Sequence, residues 1–287
     1  MAGSVEKGVL YVVATPIGNL DDITYRAVHV LANVDLIACE DTRHTRKLLD
    51  HYSIDRPTIS YHEHNEQERA EELLQKLVSG MSIAQVSDAG MPGIADPGYR
   101  VIRLAIEHGI PVRPIPGPSA LVAALVGSGL ATDAFEFHGF LPSKSGQRRT
   151  ALEKFRAAEH TIVLYEAPHR IQQTLGDLVE VLGPDRPLVI ARELTKVHEE
   201  FIRGPAAEVR ENIRQRELKG EITLLIGRSE QPSAQPPAPD LNLRLQEIMR
   251  QQNLDEKSAL KALARELGQP RSQLYRELLR LRSRRNL

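Results

Sequence analysis

Cysteine is nearly absent from this sequence: Cys39 stands alone among 287 residues. A lone thiol excludes an internal disulfide framework and fits a reducing compartment. Long apolar runs are missing too. None approaches the roughly 20 residues needed to cross a bilayer, and the first residues lack a signal-peptide core. A soluble, cytoplasmic protein with no membrane partner is expected. The dinucleotide fingerprint is also absent. Ala14-Thr15-Pro16-Ile17-Gly18 follows the first apolar run, and Gly127-Ser128-Gly129 has no third glycine, which counts against a nicotinamide or flavin enzyme. No P-loop is present, which counts against NTP hydrolysis. Overall charge is small, at −1. Its placement is uneven, however. Residues 241–287 hold eleven Lys and Arg against five Asp and Glu, a net of +6 that leaves −7 on residues 1–240. A basic tail on an acidic body points to an anionic partner for the tail.

What is present centres on Ser82–Gly98. An apolar run (Ile83, Ala84, Val86) leads into a loop rich in glycine and proline that carries Asp88, and a helix pattern opens at Tyr99. Asp96 is placed to cap that helix with Pro97 at its first position. Strand, irregular Gly-rich loop and helix form the arrangement that binds ligands at the carboxyl edge of an α/β sheet. The rest of the chain repeats the rhythm. Strands are expected at Val9–Thr15, Asp35–Glu40, near Ile59, and at Val112–Ile115 and Phe135–Phe140, with helices between them. Asp21 or Asp22 is expected to cap the first helix. Leu141–Arg149 reads as a polar, basic loop. A second α/β set has strands at Thr161–Tyr165, Leu188–Leu194 and Ile222–Gly227, and a hairpin arm at Glu200–Arg203. The resulting division is residues 8–140 and 141–228 as α/β domains, 229–240 as a proline-rich linker and 241–287 as a helical tail. Within the tail, segments around Ser258–Leu267 and Arg271–Leu281 meet at Gly268-Gln269-Pro270 in a helix-turn-helix-like pair.

Several clusters carry chemistry. Pro116-Gly117-Pro118-Ser119-Ala120 puts backbone donors and a hydroxyl at a helix start, suited to a carboxylate or phosphate; the plain alternative is that Ser119 only caps the helix. His62-x-His64 has no third ligand nearby in sequence, so no metal site is expected. Glu40-Asp41-Thr42-Arg43-His44 and Arg192-Glu193-Leu194-Thr195-Lys196 place carboxylates and cations at strand ends in both halves. If the sheets face each other, these clusters line the cleft.

Ala14–Leu20, Cys39–Thr45, His62–Glu66, Val86–Pro92, Asp96–Tyr99, Pro116–Ser119, Gly139–Pro142 and Ala191–Lys196 together resemble the ribosomal RNA small subunit methyltransferase I family. That family comprises ribose 2′-O-methyltransferases of a decoding-centre cytidine in 16S rRNA, built on the tetrapyrrole-methylase fold. Met91, Gly93 and Ala167-Pro168 depart from its pattern. The resemblance implies two α/β domains with S-adenosylmethionine in the cleft between them, and a helical appendage. Asp88, Ala89, Gly90 and Ile94 are then expected to hold the ribose and methionine part, together with Ser119 and Ala120. Pro16 and Gly18 would floor the pocket, while Tyr165, Leu194, Gly220 and Glu221 would enclose the adenine. Glu193 or Asp41 is the expected acceptor of the hydroxyl proton, with Lys196 and Arg43 as electrostatic partners. The small ribosomal subunit is the implied partner, and a homodimer the implied state. Two rival readings are a tetrapyrrole methylase and a ligand-sensing, nucleic-acid-binding regulator.

Overall fold

The computed structural model describes residues 4–229, 241–252, 254–266 and 274, in two compact units, Met1–Glu230 and Gln231–Leu287. In the first unit the apolar runs become strands β1 (Leu10–Val13), β2 (Leu36–Cys39), β3 (Thr58–Ser60), β4 (Ile83–Val86) and β5 (Val112–Ile115). All pair in parallel, in the order β3-β2-β4-β1-β5. Every residue of β1, β2 and β4 is buried, as a parallel sheet covered on both faces requires. Helices α1 (Tyr25–Asn33), α2 (Thr42–His51), α3 (Glu66–Val78) and α4 (Tyr99–Glu107) supply the cover. The period of two in a strand divides the core. Tyr11 and Val13 pack with Ala27 and Leu31 on one face, and Leu10 packs with Leu73 and Val101 on the other.

Helix α5 (Ala120–Ser128) follows β5, but it packs on a different sheet. That sheet contains β6 (Phe135–Phe140), β7 (Thr161–Glu166), β8 (Pro187–Arg192), β9 (Glu200–Pro205) and β10 (Ile222–Ile226), in the order β6-β7-β10-β8-β9. Its other helices are α6 (Ser145–Glu153), α7 (Ile171–Leu182) and α8 (Ala206–Ile213). Ala124 and Leu125 of α5 are buried among Val163, Val189 and Leu225. This helix therefore ties the two halves of the unit together, and its first turn stands where they meet.

The structure corrects several local expectations. Phe135–Phe140 does not close the first sheet; it pairs in parallel with β7 at the edge of the second, so sheet membership changes before this strand rather than after it. The second sheet is mostly antiparallel, with only β6 and β7 running together. Thr24, not Asp21 or Asp22, caps α1: its Oγ1 accepts the Ala27 N–H at 3.1 Å, while Asp21 and Asp22 lie in a 3-10 turn. Gly98 is the N-cap of α4 in place of Asp96. The Glu66 carboxylate accepts the amides of Gly98 and Arg100 there, at 3.2 and 3.4 Å. The basic loop at 141–149 is largely helix α6, and its arginines are engaged by Asp177 and Glu180.

In the second unit α9 (Leu241–Gln252) and α10 (Glu256–Glu266) share a small core of Leu245, Ile248, Leu260 and Leu263 with Leu274. The expected linker at 229–240 lies outside the described residues apart from Ser229, as does the expected helix at 271–281 apart from Leu274.

Candidate active site

Loops at the carboxyl edge of the first sheet are locked to one another. Thr15 and Gly90 exchange backbone hydrogen bonds at 2.9 and 3.0 Å, joining the loops after β1 and β4. Asp88 Oδ1 accepts the Asp41 N–H at 3.1 Å, joining the loops after β4 and β2. The loop after β5 delivers the start of α5, where Ser119 occupies the cap position but its hydroxyl makes no capping bond. The reading of Ser119 as a mere cap is thus not what the structure displays. The first amides of α5 have no intrahelical acceptors, and the helix dipole makes this end favourable for an anion.

A cavity of about 310 Å³ lies where these loops meet the second sheet. From the first half it is lined by Ala89, Gly90, Ile94, Ser119 and Ala120; from the second half by Tyr165, Leu194, Gly220 and Glu221. Nine of the twelve residues expected at a cofactor site are therefore brought together. Pro16, Gly18 and Asp88 are not among them. They line a separate hollow of about 250 Å³ beside His44 and Lys47, although Ile17 between Pro16 and Gly18 lines the cavity.

The four catalytic candidates stand outside the cavity lining. Asp41 caps α2 through the Arg43 N–H at 2.8 Å, and the same Arg43 side chain pairs with it at 3.0 Å. The guanidinium and these hydrogen bonds hold the Asp41 carboxyl at about 2, which makes it a poor proton acceptor. Arg43 points to solvent, with 89% of its side chain exposed. In the second half, Lys196 Nζ donates to Glu193 Oε1 at 2.9 Å and to Glu221 Oε2 at 3.0 Å. The Lys196 bond lowers the Glu193 carboxyl below its ordinary range. Burial works against the charge on Lys196, but the two carboxylates outweigh it and its value rises. Glu193 and Lys196 therefore form a brace that holds Glu221 at the cavity wall. Two glycines make room for it. A Cβ at Gly18 would overlap the Lys196 side chain, and one at Gly220 (φ 84°) would overlap the Glu193 carboxylate. Each of the two charged clusters is thus engaged in local ion pairs.

The titratable wall of the cavity is different. Asp96, read from sequence as a helix cap, lines it with Glu166 and Glu221. Burial, reinforced by Glu40, Asp88 and Glu221, raises the Asp96 carboxyl to about 6. Burial, and then Asp88, also raises Glu40. Phe140 and Tyr165 add an aromatic wall, with ring centroids 5.8 Å apart. The signals for Asp96 in the sequence were its position in an over-long glycine- and proline-rich loop and its place in the Asp96–Tyr99 motif of the resemblance. His62, considered above for a metal, is held in a turn by Asn65, whose Oδ1 accepts the His62 N–H at 2.9 Å. Among the described residues no group of three His, Cys, Asp or Glu is placed to hold a metal ion.

The cavity suits a zwitterionic, partly aromatic ligand. Its wall combines a helix start, which favours a carboxylate, acidic side chains, which favour a cation, and Tyr165 and Leu194, which offer apolar surface to a ring. Residues 9–210 match the family model described as Tetrapyrrole (Corrin/Porphyrin) Methylases, which sets the class of the fold and site. The uroporphyrin-III C-methyl transferase from Thermus thermophilus, solved with S-adenyl homocysteine, superposes with a TM-score of 0.55 at 20% identity, over 76% of this chain and 97% of that one. Diphthine synthase superposes at 0.60 with 14% identity, over 76% and 90%. At such identities the likeness concerns the fold alone. Sequence relatives go further. The chain is 50% identical over 276 residues to ribosomal RNA small subunit methyltransferase I of Synechocystis sp., covering 96% of this chain and 98% of that one. It is 47% identical to the protein of the same name from Mesorhizobium japonicum, over 95% and 92%. The chain belongs to the ribosomal RNA small subunit methyltransferase I family, within the tetrapyrrole methylases.

Proposed function

We propose that this protein methylates the ribose 2′-hydroxyl of a decoding-centre cytidine in small-subunit ribosomal RNA, using S-adenosylmethionine. The observation that carries this reading is the cavity between the two sheets, together with the family to which the chain belongs. Its residues fit the cofactor. Ser119, Ala120 and the first amides of α5 receive the methionine carboxylate. Glu221 favours the sulfonium charge, and Tyr165, Leu194 and Gly220 enclose the adenine. Bound there, S-adenosylmethionine supplies an already activated methyl group, so the protein's task is alignment and charge management. The Glu193–Lys196 brace keeps the Gly220-Glu221 turn in place. Arg43 is exposed beside the cleft loops and serves as a steering charge for RNA. The protein acts in the cytoplasm as a homodimer, and the small subunit is its substrate.

Transfer of labelled methyl from S-adenosylmethionine to small-subunit particles, free rRNA and a corrinoid precursor tests this reading. Label should enter the ribosomal substrates, and digestion should release 2′-O-methylcytidine. Label in the corrinoid alone would establish a tetrapyrrole methylase instead. Light scattering of the pure protein checks the dimer.

A further inference from the structure

The donor cavity has a neighbour. A groove of about 610 Å³ crosses the starts of α3 and α4 and shares two wall residues with the cavity, Ala95 and Asp96. Only Asp96 of this pair can take a proton. The groove floor is fixed, because Glu66 accepts the Tyr61 hydroxyl at 3.0 Å as well as the Gly98 and Arg100 amides at the α4 start. Above that floor Tyr99 is 68% exposed, although it is a large aromatic side chain. Exposed Glu63 and Arg100 line the same groove, with Glu71.

We propose that this groove seats the acceptor nucleotide with Tyr99 stacked on its base, and that Asp96, the wall between groove and donor cavity, accepts the ribose 2′-hydroxyl proton. This assignment rests on the ribose-methylation reading above and extends it to the acceptor side. Exposed aromatics are the sequence-tolerant platform on which splayed-out bases stack. The carboxylates of Glu63 and Glu71 offer acceptors for an exocyclic amine, which cytosine has and uracil lacks. In the transfer the O2′–carbon bond forms as the carbon–sulfur bond breaks, with the bonding pair passing to sulfur. The hydroxyl proton passes to Asp96. A sulfonium, an alcohol and a carboxylate thus become a thioether, a methyl ether and a carboxylic acid. The groups that face Asp96 are Glu40 after β2, Asp88 after β4, Glu221 before β10 and Tyr165 of β7. The charged groups that line the groove with it are Glu63, Glu66, Glu71, Arg100, Arg103 and Glu107. Burial and the three carboxylates that bear on it place its titration near 6, ionised at neutral pH yet basic enough to take a proton in the transition state.

The test uses the full chain and two variants. Single-turnover transfer to small-subunit particles is measured from acidic to alkaline pH for wild type and Asp96→Asn. S-adenosylmethionine affinity is measured by calorimetry. Binding of a cytidine-containing single-stranded oligonucleotide is measured for wild type and Tyr99→Ala. The wild-type rate should rise with pH through the Asp96 titration. Asp96→Asn should lose that rise and transfer about 100- to 10,000-fold more slowly above it, with donor affinity retained. Tyr99→Ala should bind the oligonucleotide about 10-fold more weakly and the donor as before. An Asp96→Asn protein that keeps the pH rise, or loses donor binding together with rate, overturns the role of Asp96. An unchanged oligonucleotide affinity in Tyr99→Ala overturns the groove. The binding arms need no turnover, so a wild type that methylates no rRNA defeats the parent reading while those arms still decide the groove.

Discussion

Gly220 shows how much one missing side chain decides. Its φ of 84° lies in the left-handed region, and the Glu193 carboxylate occupies the space a Cβ would need. Alanine there meets a backbone penalty of about 1–3 kcal/mol and also displaces Glu193, which frees Lys196 from the brace on Glu221. Gly220→Ala should therefore lower the midpoint of thermal unfolding and weaken S-adenosylmethionine binding, as read by calorimetry. Wild-type affinity in this variant would take the Gly220-Glu221 turn out of the cofactor site. The same scale shows why Asp88 and Asp96 exchange emphasis. In sequence, Asp88 is the first carboxylate after the strand and Asp96 an obvious cap. In the fold, Asp88 bonds the Asp41 amide and Asp96 is left facing the cavity, because Glu66 on α3 performs the capping.

At the scale of elements, the stretch 141–149 is the instructive case. It reads in sequence as a polar, basic loop, yet Arg148 is only 1% exposed. It pairs with Asp177 of α7 at 2.6 Å, and Arg149 reaches the same carboxylate at 2.8 Å. Burial alone would raise the Asp177 carboxyl, but bonds from Arg149, Arg148 and Ser145 outweigh it and hold the value low. Asp177→Asn leaves a buried guanidinium without its counter-charge. A loss of about 3–5 kcal/mol is expected in urea unfolding. The pH dependence follows from the sign of the shift. A depressed carboxyl contributes its full stability above the unfolded value near 4 and loses it as pH falls through the folded value. Wild type should lose stability in that acidic window, whereas Asp177→Asn should show a flatter acid limb. No periodicity reveals this pairing, since the partners are 29 residues apart and on different helices.

At the scale of the molecule, charge separates along the chain. The body is acidic, and the unit Gln231–Leu287 contains the basic tail with a small core of its own. With Arg148 and Arg149 engaged by carboxylates, we propose the tail as the RNA anchor. Each phosphate it neutralises should contribute roughly 0.7–0.9 to the slope of log affinity against log salt. Deleting residues 231–287 should flatten that slope for binding to the small subunit and leave S-adenosylmethionine affinity intact, since among the described residues the cavity lining belongs to the first unit. An unchanged slope in the truncated protein would move the anchor elsewhere on the body.

The sequence by itself determined the α/β rhythm, the buried strands, the basic tail and two of the loops that form the cavity, those at Ser82–Gly98 and Pro116–Ala120. Each of these is a local property: apolar runs with period two or 3.6, glycine and proline punctuation, and charge counted along the chain. The cavity residues of the second half came from the family resemblance. Only the tertiary structure decided that β6 joins the second sheet, that α5 ties the halves together, and that Asp41 and Glu193 are neutralised by cations. It also left Asp96 facing the cavity and raised its carboxyl. These outcomes depend on which distant groups exclude water from one another, and burial and Coulomb interaction act through space rather than along the chain.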